Sequence, residues 1–412
     1  MPTPNLLKIY RQNESESRAL YEQLYQSPLT YKIGIELRHL NASRSFPCFY
    51  YYTEEIMQVT SAIMTELRTL TAITSALPLV AIESFRRVCL IEEIQSTNAI
   101  EGVRSTRKEI NRAIDEQSDA NAAKNVRLWS TVNKYLKLQQ QEEIPFRTST
   151  DLRTFYDEFL ADEIRRDNPK HLPDGKVFRT DSVDVWGKTK VIHRGILPEE
   201  KIIQYMDTAL DVLQSDQIPG LIRISLFHYL FGYIHPFYDG NGRTARFITS
   251  YYLARFLHPL VAMRLSITIR KSLRVYYKLF EDTNHPGNYG DLTPFITGFL
   301  WLIQKSITRV HELLMEKDRQ LDMLSENLKE AANISSTSDW KIYFVLLQAH
   351  LFSDEGATLE DIARTVGQST RTVRNHISSY PSEHITINRS HRAHRFKLSR
   401  TFIEKLQSFI SN

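Results

Sequence analysis

The chain has 412 residues, of which 42% are hydrophobic and 24% are charged, and this length predicts two or three domains. The formal net charge of +4 is too small to indicate by itself a nucleic-acid-binding protein. Cys48 and Cys89 lack the spacing of a zinc site or a disulfide scaffold, and no apolar run is long enough to span a bilayer, so we expect a cytoplasmic protein without a membrane partner.

The first half of the chain predicts helices, and the expected fold class is mainly α. Apolar residues recur at helical spacing from about Thr53 onward. They do so again in "SFRRVCLIEEIQSTNAIEG", where Gly102 follows the last apolar turn as a stop signal. Residues 128–138 and 149–164 continue the pattern.

A single β-hairpin is predicted in the first three-quarters of the chain. Between residues 178 and 198, Val183 and Val185 alternate with polar residues before a Trp-Gly-Lys turn, and Val191 follows it. The next segment, "IRISLFHYLFGYI", is apolar on all sides, which predicts a buried helix that ends at His235.

The segment "HPFYDGNGRTAR", His235 to Arg246, indicates a phosphate site. Its glycines precede a predicted helix whose first N–H groups lack intrahelical partners and whose dipole favours an anion. Arg243 begins that helix and Arg246 follows at i+3 on the same face, so two guanidiniums can grip a polyphosphate.

Two further residues of the segment extend this interpretation. Asp239 would repel the anion unless a cation such as Mg²⁺ lay between them, and His235 can take a proton from an attacking hydroxyl. A plain turn explains "DGNG" alone, and a core histidine explains His235 alone. The combination favours phosphoryl or nucleotidyl transfer.

The same segment resembles the signature of Fic-domain proteins, His-x-Phe-x-Asp/Glu-Gly-Asn-Gly-Arg-x-x-Arg, at every fixed position. The resemblance implies a helical fold that transfers AMP from ATP to a Ser, Thr or Tyr hydroxyl of a target protein or of the chain itself. It assigns His235 as the general base and Asp239 as the Mg²⁺ ligand. It implies a phosphate cradle formed by Gly240, Asn241, Gly242, Arg243 and Arg246.

The resemblance continues on both sides of the motif. "RTDSVDVWG" corresponds to the family's flap, a hairpin that binds the target by strand addition, here with Val185, Trp186 and Gly187. "YYKLFEDTN" is similar to the element beside the adenine, and the residues it implies for nucleotide contact are Tyr276, Tyr277 and Asn284.

"STNAIEG" resembles the inhibitory motif of Fic proteins, Ser/Thr-x-x-x-Glu-Gly/Asn, through Thr97, Glu101 and Gly102. The resemblance makes Arg246 the partner of Glu101, so that Arg246 could not hold the γ-phosphate of ATP. The alternative is a helix C-terminus with a solvated glutamate.

The last third of the chain predicts a long helix and a small separate domain. Apolar residues spaced three and four apart between Ile303 and Leu328 form a heptad seam broken by Lys317, which indicates a long helix lying on the preceding domain or, as the alternative, a homodimer contact. "ANISSTSD" is a predicted linker with a helix N-cap at Ser338 or Asp339.

Residues 357–380 have the layout of a helix-turn-helix, with N-caps at Thr358 and Ser369 and a turn at Gly367. A basic hairpin follows, as in winged helices, which bind either DNA or other proteins. The candidate DNA contacts are Arg371, Arg374, Arg392 and Arg395.

We therefore expect an N-terminal helical region with the inhibitory helix (1–120), a Fic core (121–300), a linking helix (301–335) and a winged helix (336–412). The expected function is a protein adenylyltransferase that uses ATP and Mg²⁺. The alternatives are a Fic fold that removes AMP or transfers another phosphate-containing group, and a DNA-binding regulator that senses ATP.

Overall fold

The computed structural model describes residues 5–40, 42–117, 126–187, 191–390 and 393–408. The chain divides into two compact units, residues 1–67 with 93–307 and residues 68–92 with 308–412. This division is coarser than the four predicted segments, because three long helices each contribute residues to both units.

The N-terminal third contains a short hairpin and six helices within the described residues. Their bounds are α1 (Leu6–Tyr10), α2 (Glu14–Gln26), β1 (Thr30–Arg38), β2 (Ser45–Tyr51), α3 (Glu54–Ala76), α4 (Leu79–Ile100), α5 (Arg107–Asp115) and α6 (Trp129–Gln139).

The middle of the chain is helical apart from a second hairpin. Its elements are α7 (Ser149–Tyr156), a π-helical segment (Asp157–Ala161), α8 (Asp162–Asp167), a 3₁₀ turn (Pro169–His171), β3 (Asp184–Trp186), β4 (Val191–Arg194), α9 (Glu199–Gln214), α10 (Gly220–Ile234), α11 (Asn241–Phe256), α12 (Pro259–Ala262), α13 (Leu265–Lys271), α14 (Leu273–Asn284), a 3₁₀ turn (Pro286–Asn288) and α15 (Thr293–Glu326).

The C-terminal part combines short helices with a small sheet. It comprises α16 (Leu328–Ala331), α17 (Thr337–Phe352), β5 (Ala357–Thr358), α18 (Leu359–Val366), α19 (Thr370–Ser379), a 3₁₀ turn (Ser382–His384), β6 (Ile385–Asn388), β7 (Arg395–Leu398) and α20 (Arg400–Ser408). With 67% of residues in helices, the predicted mainly α fold class is confirmed.

The prediction of a single hairpin in the first three-quarters of the chain was wrong. β1 and β2 pair antiparallel from Thr30–Tyr51 to Arg38–Ser45. The signal was present, because Ile33, Ile35 and Leu37 are buried and alternate with exposed residues along β1.

Helix α10 forms the centre of the first unit and positions the phosphate-site motif. It packs against α9 and α11, and all its residues except Arg223 and Gly232 are buried. A helix buried on nearly every side needs mostly apolar residues, and its sequence supplies them at all positions except Arg223, Ser225 and His228. The motif therefore begins where the buried helix ends.

The heptad seam of α15 is buried within the chain. Ile303, Ile307, Val310, Leu314, Leu321, Leu324 and Leu328 are each at most 3% exposed. The Lys317 ammonium group, which interrupts the seam, donates to the carbonyl of Leu351. The seam is thus buried within the chain, while the packing on the preceding domain and the homodimer contact both stay predictions.

In the second unit the predicted N-cap of α17 was misplaced. The capping residue is Ser336, whose side chain accepts from the N–H of Asp339, and not Ser338 or Asp339. The linker contains four serine and threonine residues in a row that differ little in capping preference, so sequence alone does not select one. Thr358 and Ser369 cap α18 and α19, and Gly367 has a φ of +70° at the turn between them, as the sequence indicated.

The three strands of this unit form one antiparallel sheet in the order β5-β7-β6. Arg395 on β7 is only 6% exposed, so the structure removes it from the candidate DNA contacts. Arg395 lies on the central strand of the sheet, where it pairs with Thr358 of β5 and Asn388 of β6. Arg371 and Arg374 are exposed on α19, and Arg392 lies outside the described residues.

None of the helices in the described part of the chain combines the length and apolarity that a bilayer span requires.

Candidate functional site

The site begins at the C-terminal end of α10, where His235 turns the chain. His235 has the left-handed backbone angles φ 53° and ψ 62°, which are uncommon for a residue with a side chain. Its Nδ1 lies 3.3 Å from the carbonyl oxygen of Gly232. Since a carbonyl can only accept, Nδ1 carries the proton in this contact and Nε2 is left as the basic nitrogen.

The surroundings of His235 keep its imidazole neutral. Desolvation is the largest effect and His193 the next, and together they lower the pKa of His235 to about 4. The Arg179 guanidinium also lowers the pKa, whereas the Gly232 carbonyl and the Glu101 carboxylate raise it. At neutral pH the ring is therefore in the form that can accept a proton.

The loop after His235 is held from inside. Asn241 uses both ends of its amide on one residue, accepting from the N–H of Phe237 at 2.9 Å and donating to its carbonyl at 2.7 Å. Gly240 has a φ of +78°, and a Cβ there would lie 2.8 Å from Leu160 in the π-helical segment. The structure thus gives the Asn241 side chain a role in shaping the loop, while its predicted phosphate contact remains a prediction.

Arg243, in the first turn of α11, is a buried cation with a buried partner. Its side chain is 2% exposed, and Nη1 donates to Oε1 of Glu163 on α8 at 2.7 Å. Its Nη2 lies 3.8 Å from Asp239. The guanidinium therefore lies at the start of α11 with its orientation set by α8.

Arg246, one turn further along α11, is bound by the end of α4. Its Nε donates to Oγ1 of Thr97 at 2.9 Å and its Nη2 to the Thr97 carbonyl at 3.0 Å. The same Nη2 donates to Oε1 of Glu101 at 2.8 Å. The three residues that the sequence linked across about a third of the chain thus meet in one cluster.

The Glu101 carboxylate also reaches the first turn of α11. A Cβ built on Gly242 would collide with Glu101, so a glycine is required for the carboxylate to take this position. Gly102 follows with a φ of +74°, which is the left-handed conformation that ends a helix. A carboxylate against a helix N-terminus occupies the kind of place that a phosphate group prefers.

Arg246 retains its charge in this setting. Burial is the largest single effect and opposes the charged form, but Glu101, Tyr276 and Tyr135 together outweigh it and raise the pKa of Arg246 above its usual value. The ion pair is one-sided in exposure, since the Arg246 side chain is 1% exposed and that of Glu101 is 29% exposed. Glu101 can therefore leave toward solvent, whereas Arg246 cannot.

A buried hydrogen-bonded row lies on the other side of Arg246. Thr249 donates to the Ala245 carbonyl at 2.8 Å, so its oxygen accepts from Nδ1 of His228 at 2.8 Å, and Nε2 of His228 accepts from the Tyr276 hydroxyl at 2.8 Å. Desolvation and the nearby Arg246 lower the pKa of His228 to about 3, so this histidine stays neutral. The row holds Tyr276 against Arg246.

The residues predicted beside the adenine are distributed differently around α14. Tyr276 is buried with its hydroxyl on His228, whereas Tyr277 is 47% exposed. Oδ1 of Asn284 accepts from the Tyr229 hydroxyl at 2.6 Å. Of the three, Tyr277 is the one whose ring has a large surface available to a ligand.

The flap is a short hairpin with an exposed tip. Val185 pairs with His193 and Trp186 with Val191, and the Trp186 side chain is 68% exposed. Gly187 follows at the end of β3, and the three residues after it lie outside the described residues. An exposed tryptophan beside a free strand edge is available for contact with another chain.

Asp239 is the residue that fits a magnesium ion. No group of three or more potential metal ligands occurs within the described residues, so a site built from protein ligands alone is not present there. A single carboxylate that is 41% exposed, next to the start of α11, does match the way Mg²⁺ is bound through one or two carboxylates together with substrate phosphates.

Sequence reasoning missed the buried partners of the motif. Glu163 has no motif of its own, and His228 and Arg179 lie in segments that were recognised as a buried helix and as the flap without a role for either residue. One signal was polarity inside an apolar stretch: His228 interrupts a largely apolar helix, and a buried polar residue needs a buried partner.

Comparisons with known proteins agree with this geometry. Residues 147–253 match the model of the Fic/DOC family. A protein adenylyltransferase Fic from Nematostella vectensis is 35% identical over 103 residues, which are 24% of this chain and 22% of that protein. A protein adenylyltransferase Fic from Drosophila mojavensis is 27% identical over 154 residues, which are 37% of this chain and 27% of that protein.

These alignments span only about a quarter of the length of the curated relatives. Among solved structures, that of a Fic family protein from Desulfovibrio desulfuricans G20 is 20% identical, with a TM-score of 0.52 over 85% of this chain and 98% of that chain. At this identity the similarity concerns the fold. The match to the Fic/DOC family covers residues 147–253, which contain the motif from His235 to Arg246, and the solved structure shows that the chain shares the fold of a Fic family protein.

Proposed function

We propose that the protein transfers AMP from ATP to a hydroxyl group of a protein side chain, and that Glu101 inhibits this activity by occupying Arg246. The observation that carries the proposal is the arrangement at the junction of α10 and α11. There a neutral imidazole with a basic Nε2 adjoins a helix N-terminus that holds two buried guanidiniums. The names of the relatives supply the reaction class.

In the proposed reaction the hydroxyl oxygen of the target attacks the α-phosphorus of ATP. A phosphorus–oxygen bond to the target forms, the bond between the α-phosphorus and the oxygen bridging to the β-phosphate breaks, and pyrophosphate leaves. The hydroxyl proton passes to Nε2 of His235. Arg243, Arg246 and the first N–H groups of α11 would stabilise the negative charge that builds up on the phosphate oxygens.

Asp239 would hold Mg²⁺ when ATP binds, and the ion would neutralise part of the phosphate charge. Trp186 and the edge of β3 would contact the target chain, or another segment of the same chain in self-modification. The predicted roles of Tyr276, Tyr277 and Asn284 near the base belong to this proposal as well.

In this proposal Glu101 inhibits the reaction because it and the γ-phosphate of ATP would compete for the Arg246 guanidinium. Nη2 of Arg246 cannot donate to Glu101 and to a γ-phosphate in the same direction, and the Glu101 carboxylate lies where an anion at the start of α11 would bind. ATP would then bind with its α-phosphorus displaced. A displacement of about 1 Å can lower a rate on the order of 10²-fold.

The experiment compares the wild type, Glu101→Gly, Glu101→Gly/His235→Ala and the control Glu143→Gly. Glu143 is an exposed glutamate whose ion pair with Arg147 is 3.9 Å long. Each protein is incubated with lysate and with ATP labelled at either the α- or the γ-phosphate. We expect α-label on protein to rise about 10²-fold in Glu101→Gly alone and to vanish with the second substitution.

Other outcomes assign the site to a different function. Transfer of the γ-label would indicate phosphoryl transfer. Release of AMP from labelled protein by the wild type would indicate removal of AMP. If Glu101→Gly gives no more α-label than Glu143→Gly, the inhibitory role of Glu101 is wrong.

A second candidate function concerns residues 336–408, which we propose form a winged helix that binds DNA. Arg371 and Arg374 are exposed on α19, the helix that would enter the major groove, and Arg389 is exposed after β6. The burial of Arg395 reduces the charge available from the hairpin. If ATP alters DNA affinity without any label on protein, the ATP-sensing regulator is the better description.

A further inference from the structure

Arg179, which lies just before the flap, is a buried cation that the motif does not include. It is 0% exposed, and all three of its hydrogen-bond acceptors are main-chain carbonyl oxygens. Within the described residues no carboxylate lies within salt-bridge distance of it. Burying a guanidinium without a carboxylate is unfavourable, so the fold must gain something specific from this residue.

The three carbonyls belong to His235 and to the two segments that flank the flap hairpin, whose relative positions Arg179 therefore sets. Nε donates to the carbonyl of His235 at 2.9 Å, and the main-chain N–H of Arg179 lies 3.4 Å from the carbonyl of Pro236. Nη1 donates to Asp181 at 2.7 Å before β3, and Nη2 donates to Ile196 at 2.9 Å after β4. One planar side chain thus joins the His235 main chain to both ends of the flap hairpin.

His235 needs such support because of its backbone conformation. A histidine at φ 53° is less stable than in the right-handed region, and it keeps this conformation only where the surrounding structure enforces it. The bond from Arg179 to its carbonyl fixes the peptide that follows the residue. A change in this peptide would swing the imidazole away from the phosphate site.

Other contacts show that this junction is built as a unit. The N–H of Ile196 donates to the Ile234 carbonyl at 3.1 Å, and His193 of β4 contacts the Tyr233 carbonyl through Nε2 at 2.6 Å. Gly195 has no room for a Cβ, because the atom would collide with the Arg179 guanidinium. The close approach of the flap to α10 therefore depends on the place that Arg179 fills.

We propose that Arg179 is a positioning residue that sets the orientation of the His235 imidazole and couples it to the two ends of the flap hairpin. This inference rests on the proposed role of His235 as the general base. It assigns Arg179 no contact with ATP or the target; the residue acts through His235 and the flap.

The charge of Arg179 supports the same role. Apart from burial, the largest influences on the pKa of His235 are His193 and Arg179, which lower it, and the Gly232 carbonyl and Glu101, which raise it. Removal of the Arg179 charge should therefore raise the pKa of His235. A lysine at this position keeps the charge but cannot reach three carbonyls at once.

The test compares Arg179→Gln and Arg179→Lys with the control Arg223→Gln, all with Glu101→Gly. Arg223 lies at the other end of α10, where its Nη1 donates to the carbonyl of Ser215, so the control also removes a bond from an arginine to a carbonyl. Rates of AMP transfer give kcat and the KM for ATP. The His235 ring is followed by ¹⁵N NMR of histidine-labelled protein, with its signals assigned through His235→Asn.

We expect Arg179→Gln to lower kcat on the order of 10²-fold with the KM for ATP changed less than about twofold, since the phosphate cradle is on α11. The His235 signals should shift and titrate at higher pH. Arg179→Lys should restore the titration while kcat stays low, and Arg223→Gln should match the parent in both measurements.

Identical His235 spectra in Arg179→Gln and Arg223→Gln would overturn the inference, as would an equal loss of kcat in both. If the parent transfers no AMP, the proposed function has failed, but the spectra still decide on Arg179. A further result would also overturn the inference: if Arg179→Gln and Arg179→Lys lower kcat, ATP affinity and unfolding temperature equally without changing the His235 signals, Arg179 contributes only to stability.

Discussion

Replacement of Glu163 by glutamine tests whether the buried ion pair sets the stability around Arg243. The two side chains are 10% and 2% exposed and their charged atoms are 2.7 Å apart. Removing one partner of a buried pair costs about 3–5 kcal/mol, and glutamine keeps one acceptor oxygen, so we expect a loss near 3 kcal/mol. For a domain of this size, that is a fall in Tm of roughly 6–12 °C.

The matched control is Asp162→Asn, the neighbouring carboxylate on the same helix. Its ion pair with Arg165 is 2.6 Å long, but the side chains are 61% and 57% exposed, so about 0–1 kcal/mol is expected. The free energy of unfolding is measured by urea denaturation followed by circular dichroism. Because Asp162 and Glu163 are adjacent, differences in helix propensity between the two sites are small.

A double variant, Glu163→Gln/Arg243→Gln, separates pairing from local disruption. When both charges are absent, no buried charge remains unpaired, so the double variant should be more stable than Glu163→Gln alone. If Glu163→Gln and Asp162→Asn lower the free energy of unfolding equally, the pair does not stabilise the site as described. The same holds if the double variant loses the sum of the losses in Glu163→Gln alone and Arg243→Gln alone.

Two further predictions concern the pH dependence of the reaction and the second unit. With a pKa of about 4, His235 is unprotonated above that pH. The kcat/KM of Glu101→Gly should therefore not fall from protonation of His235 between pH 8 and about 5, and should fall only at lower pH. A midpoint near 6.5 in the pH–rate profile would contradict this. Arg371→Ala/Arg374→Ala should weaken DNA binding and lower the slope of log affinity against log salt concentration by about 2. Arg395→Ala should lower the unfolding temperature with little change in that slope, and Arg319→Ala, at an exposed arginine on α15, is the control. Equal DNA affinity in the wild type and these three variants would exclude α19 as the DNA contact.

Local patterns were sufficient for the elements and for the motif. The caps Thr358 and Ser369, the turn at Gly367 and the buried character of α10 depend on residues within a few positions of each other, and the structure agrees with them. The β1–β2 hairpin was missed although its alternation is present. The choice of Ser336 over its neighbours as N-cap depends on packing that a short window does not contain.

The residue types between His235 and Arg246 are enough to predict a phosphate site, because a histidine, a carboxylate, a helix start and two arginines all lie within a few turns of one chain segment. The partners that hold the His235 main chain and Arg243 are visible only in the folded chain. Glu163 reaches Arg243 from 80 residues away, and Arg179 reaches His235 from 56 residues away. No local pattern encodes these two contacts, since they arise from the packing of α8 and the flap, whereas the contact of Glu101 with Arg246 was predicted from the resemblance of "STNAIEG".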